Sequence, residues 1–356
     1  MNFNESSPRV PENDILKWGR DLLLDWDRVQ MVISFFLLGL VALAPLFIDS
    51  TYYLGIVIVT LIYAFIGISW NIVAGFTGQL LIAHISFVAF GAYTTIVLLN
   101  KFLISPWVGI WVGGVVAAIL GIIVAFITLR YGLKVDYFAL FTIALMVALR
   151  TLFKKWDFVG GAVGMWFRLE NPSFGKMIFA SKVPYVYIGV GLVFLGLVAQ
   201  YYIYKSKIGK YLLAIREDED AASALGVNTP FYKMVSVTIG AFMGGVGGGV
   251  YMMYVTFVEP PQVFNLGLNV EIVMTGPIIG GLGTLSGPLL GALLNKPVAE
   301  MVRGFLASGR SGISQIVYGS FLIITILFLP YGVTGVLHTA YRKLTKRFRT
   351  FSKEGE

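Results

Sequence analysis

The chain has 356 residues, 57% of them hydrophobic and only 13% charged, with a mean hydropathy of +0.80 and a net charge of +8. Soluble domains carry about 45–50% apolar and about 25% charged residues, so this composition excludes an ordinary soluble fold. The absence of cysteine excludes disulfides and thiolate chemistry, and two histidines, His84 and His338, are too few for an HExxH pair or a three-His zinc site.

Along the first thirty residues, Ile15, Trp18, Leu22, Trp26 and Val29 recur at helical spacing with charges between them. This pattern suits either a helix lying in the membrane interface or a soluble cap. No short apolar core of a cleavable signal stands there, so Met31–Ile48 is expected to remain as the first span. Hydrophobic segments then fall near 31–48, 52–73, 80–100, 107–129, 137–153, 184–204, 234–257, 271–294 and 313–329, close to the roughly 20 residues that cross a bilayer. The expected organisation is an amino-terminal segment over 1–30, a transmembrane domain over 31–337 with a long basic loop at 205–233, and a basic tail over 338–356.

Lys205, Lys207, Lys210, Arg216 and Lys233 in that loop, and Arg342, Lys343, Lys346, Arg347, Arg349 and Lys353 in the tail, place both on the cytoplasmic side. The net positive charge therefore belongs to loops and implies no nucleic acid. With the N-terminus also expected inside, the crossings must be even in number, and nine segments are not. Glu271–Leu294 is the expected exception. Pro277 and Pro288 each remove a backbone donor, and Gly280, Gly281, Gly283 and Gly287 lie between them. Broken backbone is tolerated in a bilayer only where protein covers it or water reaches it. The fold class that follows is an all-α polytopic membrane protein of about eight spans, ten at most, plus this glycine- and proline-broken segment.

Enzyme motifs are missing. There is no GxSxG elbow, no carboxylate pair inside a span and no GxxxxGK[ST] loop to cradle ATP. In the basic loop, Asp218 is a good helix N-cap, Glu219 and Asp220 follow in the first turn, and Gly226 supplies a stop. The short helix between them would carry Ala221, Ala222 and Leu225 on one apolar face. It is either a docking element for a partner or a capped, solvated connector.

These residues carry a resemblance. Asp220-Ala221-Ala222, three residues, then Gly226 is similar to the EAA…G coupling loop of ATP-driven importer permeases, with Asp where many have Glu. The longer stretch Ala214–Asn228 resembles LivM-type branched-chain amino acid permeases. Gly75-Phe-Thr-Gly-Gln79 with His84 and Phe90–Tyr93, Asp136–Leu140 with Trp156-Asp157 and Gly160-Gly161, and Gly280–Pro288 match the same family in order. The similarity covers roughly 52–330 and departs at Leu81-Ile82-Ala83, bulkier than the family's usual Ser-Leu-Gly.

The resemblance implies a permease working by alternating access in a cell membrane. Its partners would be a second related permease, two cytoplasmic ATPases and an extracytoplasmic solute-binding protein. No cofactor would bind this chain, ATP and magnesium being held by the ATPases. Branched-chain amino acids are the implied substrate, with urea or short amides the nearest alternative. An ion-coupled secondary transporter needs buried charge that these spans nearly lack, and a scaffold would not need broken segments.

Gly75 and Gly78 flank a break, with Gln79 beyond it and His84 the ionisable group well inside a span. All four are pathway candidates, although a single carbonyl would also satisfy the histidine. Glu271, at a segment edge, fits either the pathway or an interfacial contact. Gly283, Gly287 and Gly291 recur every four residues, which favours close helix packing before hinge motion. The charge asymmetry predicts that single cysteines at Lys207 and Lys353, in this cysteine-free chain, react with an impermeant thiol reagent from the same face. Labelling from opposite faces would refute the topology.

Overall fold

The structure is a computed structural model, and it describes residues 12–132, 135–167, 172–306 and 311–342. The chain forms helices α1 Glu12–Ala42, α2 Thr51–Trp70, α3 Ile85–Phe102, α4 Pro106–Arg130, α5 Val135–Lys155, α6 Val183–Lys205, α7 Lys207–Glu217, α8 Glu219–Ala224, α9 Thr229–Val255, α10 Leu266–Gly280, α11 Gly287–Leu306 and α12 Ser311–Phe328. Beyond Pro330 the last helix resumes over 332–342. Among the described residues, eight helices are long and apolar enough to cross a membrane. Strand among the described residues is confined to a two-residue antiparallel pair, β1 Met165–Trp166 with β2 Phe257–Val258.

Depth in the bundle follows burial. The span formed by α2 and the π-helical turn Asn71–Gly75 is 83% buried over its most apolar window, whereas that of Ile316–Arg342 is 6% buried. Thus α2 is central, and the last span presents its apolar face outward. α9 packs against α3 and α4 through glycine. A Cβ on Gly91 would stand 1.9 Å from the Gly245 carbonyl oxygen, and one on Gly113 2.8 Å from that of Gly91. Three backbones therefore touch where side chains would normally intervene, the packing that small residues permit in a membrane.

Contacts sort the helix ends into two groups. At one end, the Trp26 and His338 rings lie 4.8 Å apart, Lys205 pairs with Asp27 at 2.7 Å, and Arg216 reaches the Gly75 carbonyl at 2.5 Å. At the other, Asn100 donates to the Trp166 carbonyl at 2.9 Å and Lys182 to that of Thr51 at 3.2 Å.

Residues 271–294 are the junction of two oppositely running helices, α10 and α11, turning at 281–286 between Pro277 and Pro288. Counting that hairpin as two passes beside the eight spans gives an even ten. The segment is thus two helices joined by a turn and not one continuous crossing, as its prolines and glycines predict. Gly283, at φ +81, takes the left-handed conformation the turn requires. Pro288 sits in the first turn of α11, where its missing N–H costs nothing.

Other expected boundaries also move. The expected division at residue 30 falls inside α1, because Asp27 and Gln30 are buried in contacts with α6 and the hairpin turn. Residues 80–84, expected within a span, are not helical, and α3 starts at Ile85. The last helix continues past 338 to 342, and residues 343–356 of the expected tail lie outside the described residues.

The two breaks bind each other. Asn71, leaving α2, donates to the Thr284 carbonyl at 3.0 Å and accepts from Gly283 N–H at 2.8 Å. Asn269, on α10, accepts from Ile85 N–H at 2.8 Å and donates to the Ile82 carbonyl. Each amide thus satisfies backbone donors and acceptors that the other break leaves open. Replacing Asn269 with Leu strands two buried backbone groups, at about 1–3 kcal/mol each. The expected result is a clearly lower melting temperature of the purified protein; an unchanged one would show that these groups find other partners.

Candidate functional site

The loop segment forms as its residues dictate. Asp218 caps α8 by accepting from Ala221 N–H at 2.9 Å, and Gly226 ends it at φ +86. The face differs from expectation. Lys233 on α9 pairs with Glu219, and the Thr229 hydroxyl donates to the same carboxylate at 3.2 Å. Ala222 lies one helical turn from Glu219, so this pairing rolls it inward until only 3% of it is exposed. Ala221 and Leu225 remain outside, with Leu225 87% exposed. The outward face is therefore Asp220, Ala221 and Leu225, without Ala222.

Arg216, in the last turn of α7, joins this segment to both breaks. Its Nη1 donates to the Gly75 carbonyl, and its side chain passes so close to Gly283 that a Cβ there would be 2.1 Å from that nitrogen. Gly78 lies beside it as well. Gly75 itself leaves room for Asn71, whose Oδ1 a Cβ would meet at 2.3 Å. A cavity of about 570 Å³ opens at this end, lined by Trp26, Arg216, Thr284, Thr334 and His338 among others. The hairpin turn above it is also held by Gln30, which accepts from Leu285 N–H at 2.9 Å, and by Gln200, which donates to the Thr284 carbonyl at 3.2 Å. The Thr334 hydroxyl donates to the Gly280 carbonyl at 2.8 Å.

His84 is fully buried, with Nε2 2.8 Å from the Ser69 hydroxyl. It lies against the bare face of α9, where a Cβ on Gly244 would come within 2.9 Å of that nitrogen. His84 Nδ1, Gln79 Oε1, Ser86 Oγ and the Tyr93 hydroxyl are buried without a hydrogen-bond partner. Gln200 Oε1 is the fifth such atom among the described residues, so this unmet polarity concentrates on residues 79–93. Buried polar groups in that condition call for water or a polar solute.

Glu271 stands elsewhere and is not at an edge. It lies in the π-helical turn Val270–Met274 within α10 and pairs with Lys296 at 3.1 Å and Arg303 at 2.8 Å, both on α11. Glu300 binds the same Lys296 at 2.6 Å, so two carboxylates do share an interior site, contrary to expectation. The pathway candidates are thus not one cluster. Gly75, Ser69 with His84, and Tyr63 beside Lys296 mark points six residues apart along the span Thr51–Gly75, about 9 Å each. Sequence reading gave Arg216 only as a loop charge and Tyr93 only within a motif, and it missed Asn71, Asn269 and Ser86; it missed Lys296, Glu300 and Arg303 because the apolar run of α11 stops before them.

The family described as branched-chain amino acid transport system/permease component matches residues 52–329. The chain is 25% identical over 333 residues to the high-affinity branched-chain amino acid transport system permease protein LivM of Salmonella typhimurium, covering 87% of this chain and 76% of that one. It is 26% identical over 269 residues to a probable branched-chain amino acid transport permease protein, LivH, of Methanocaldococcus jannaschii, covering 70% and 81%. A nucleoside ABC transporter permease protein, NupC, of Lactococcus lactis is 26% identical over 159 residues, 41% and 48% of the two chains. No solved structure matches.

Ser69 keeps a second bond, to the Ile66 carbonyl at 2.6 Å. His84→Leu therefore removes one neutral hydrogen bond and is expected to cost about 1 kcal/mol, leaving a folded protein. Thermal unfolding measures it, and collapse of the fold would show that His84 carries the packing.

Proposed function

The chain belongs to the branched-chain amino acid transport permease family, and from that premise we propose that it is the membrane-spanning permease subunit of an ATP-binding cassette importer for branched-chain amino acids. In this reading it pairs with a second, related permease in the cytoplasmic membrane. Two ATPase subunits, holding ATP and magnesium, dock at the Arg216 end, which is cytoplasmic together with both termini. A solute-binding protein delivers substrate at the opposite end. The LivM match spans most of both chains while the nucleoside permease match spans less than half, which favours the amino acid over the nucleoside.

The observation that carries the coupling is the Arg216–Gly75 bond. α8 offers Asp220, Ala221 and Leu225 to a partner, and the Glu219–Lys233 pair fastens its other face to α9. Motion imposed on α8 passes to α9 through that pair and, through Arg216, to both breaks. α9 carries the bare glycine surface on which His84 rests, so displacing it changes the walls around residues 79–93. ATP binding shifts the permease between inward- and outward-facing states by binding one of them better through the ATPases. Gln79 and His84 border the route, where unmet hydrogen-bonding groups receive solute or water.

The test is ATP-dependent leucine uptake in vesicles, with ATPase subunits quantified in the same preparation. Leu225→Trp is expected to lose the ATPases and the uptake together. Arg216→Ala is expected to retain the ATPases yet lose uptake. Ala222→Trp would pry α8 from α9 and is the less clean probe, while Gly226→Ala costs roughly 1 kcal/mol through its positive φ. His84→Leu, folded as above, should lower uptake. Normal transport by both Leu225→Trp and Arg216→Ala would overturn the coupling route.

A further inference from the structure

Charge is scarce in these spans. Apart from Arg150, the charged residues of the eight spans lie within about a turn of a span end. The hairpin is the exception, with Glu271 on α10 and Lys296, Glu300 and Arg303 on α11 gathered into one network. Lys296 is the tenth of the twenty residues of α11, and its ammonium lies 4.8 Å from the ring centre of Tyr63, midway along Thr51–Gly75. The network therefore begins at mid-depth. It rises toward the end opposite Arg216, because a Cβ on Gly304, next to Arg303, would stand 3.7 Å from the Tyr52 hydroxyl at the start of α2.

Exposure follows the same axis. The side chain of Lys296 is 4% exposed, those of Glu271 and Glu300 are 17% and 23%, and that of Arg303 is 47%. Arg303, in the last turn of α11, is placed to reach the aqueous interface with its half-exposed guanidinium. Lys296 is the fixed member, held by both carboxylates and the Tyr63 ring. Arg303 is the outer member, at 2.8 Å from Glu271 and 3.3 Å from Glu300.

We infer that this network is a binding site for the zwitterionic headgroup of an α-amino acid, entered from the end opposite Arg216; the inference rests on the importer reading and deepens it. An incoming α-ammonium replaces Arg303 on Glu271 and Glu300. The α-carboxylate takes the released guanidinium, whose planar fork matches it with two parallel bonds. Every ion pair that opens is succeeded by a new one, and the two acids and two bases stay neutral throughout. A solute without the carboxylate leaves the released guanidinium with no anion, and one without the ammonium cannot take its place on Glu271 and Glu300. The site thus selects against amides, ureas and nucleosides by charge, whatever their size.

The experiment is equilibrium binding of radiolabelled leucine to the complex purified from its membrane into nanodiscs, without the solute-binding protein, whose own selectivity would mask the result. Unlabelled leucine should displace the label, while leucinamide, N-acetylleucine and urea should not. Arg303→Gln should weaken binding about tenfold or more, the weight of a charge-assisted bond, and Arg303→Lys should recover part of it. Binding by Arg303→Gln equal to that of the wild type overturns the site. Should that variant unfold, the wild-type competition decides alone, and equal displacement by leucinamide or N-acetylleucine overturns it. A wild-type complex that takes up no leucine with ATP sinks the importer reading and this inference together. Wild-type uptake with unimpaired Arg303→Gln binding sinks only the inference.

Discussion

A chain that breaks its helices inside an apolar bundle must satisfy the freed N–H and C=O groups from within. Asn71 and Asn269 meet that demand by exchange. The amide at the first break holds the turn of the second, and the amide beside the second holds the chain of the first. Neither break can shift alone without exposing donors and acceptors on the other, at about a kilocalorie or more per group. Arg216 adds a third member by binding the Gly75 carbonyl from the loop outside the bundle. Asn71, Asn269 and Arg216 thus tie α2, α7, α10 and the hairpin turn together.

Around that fixture the packing is smooth. α9 meets α3 and α4 at contacts where no Cβ fits, and His84 occupies the space that the missing side chains of α9 leave. Surfaces without interdigitating side chains offer little resistance to sliding, so shear between packed helices is the motion this arrangement permits. The rim of unmet polar atoms on residues 79–93 lies beside that sliding surface.

Charge is handled oppositely at the two ends. Near Arg216 the ion pairs Lys205–Asp27 and Lys233–Glu219 fasten loop and helix ends to the bundle. Toward the opposite end, two acids and two bases of the hairpin form a network that starts at mid-depth with Lys296, where each ion needs another close by. Pro297 lies inside α11 beside Lys296, in the same stretch of helix.

What the sequence determined by itself is what depends on neighbours within a turn or on apolar length. Runs near twenty residues marked the spans, the prolines and glycines of 277–288 marked the hairpin break, and Asp218 with Gly226 bounded the short loop helix. Those features are local: transfer into lipid, a missing donor and a positive φ each act on the residue that carries them. Tertiary structure alone decided the rest. Asn71 meets Gly283 and Thr284 across more than two hundred residues of chain, Glu219 turns Ala222 inward by reaching Lys233, and Glu271 finds Lys296 and Arg303 beyond the end of an apolar run. A buried polar or charged side chain is stabilised by whichever partner folding brings to it, and no spacing along the chain encodes that partner.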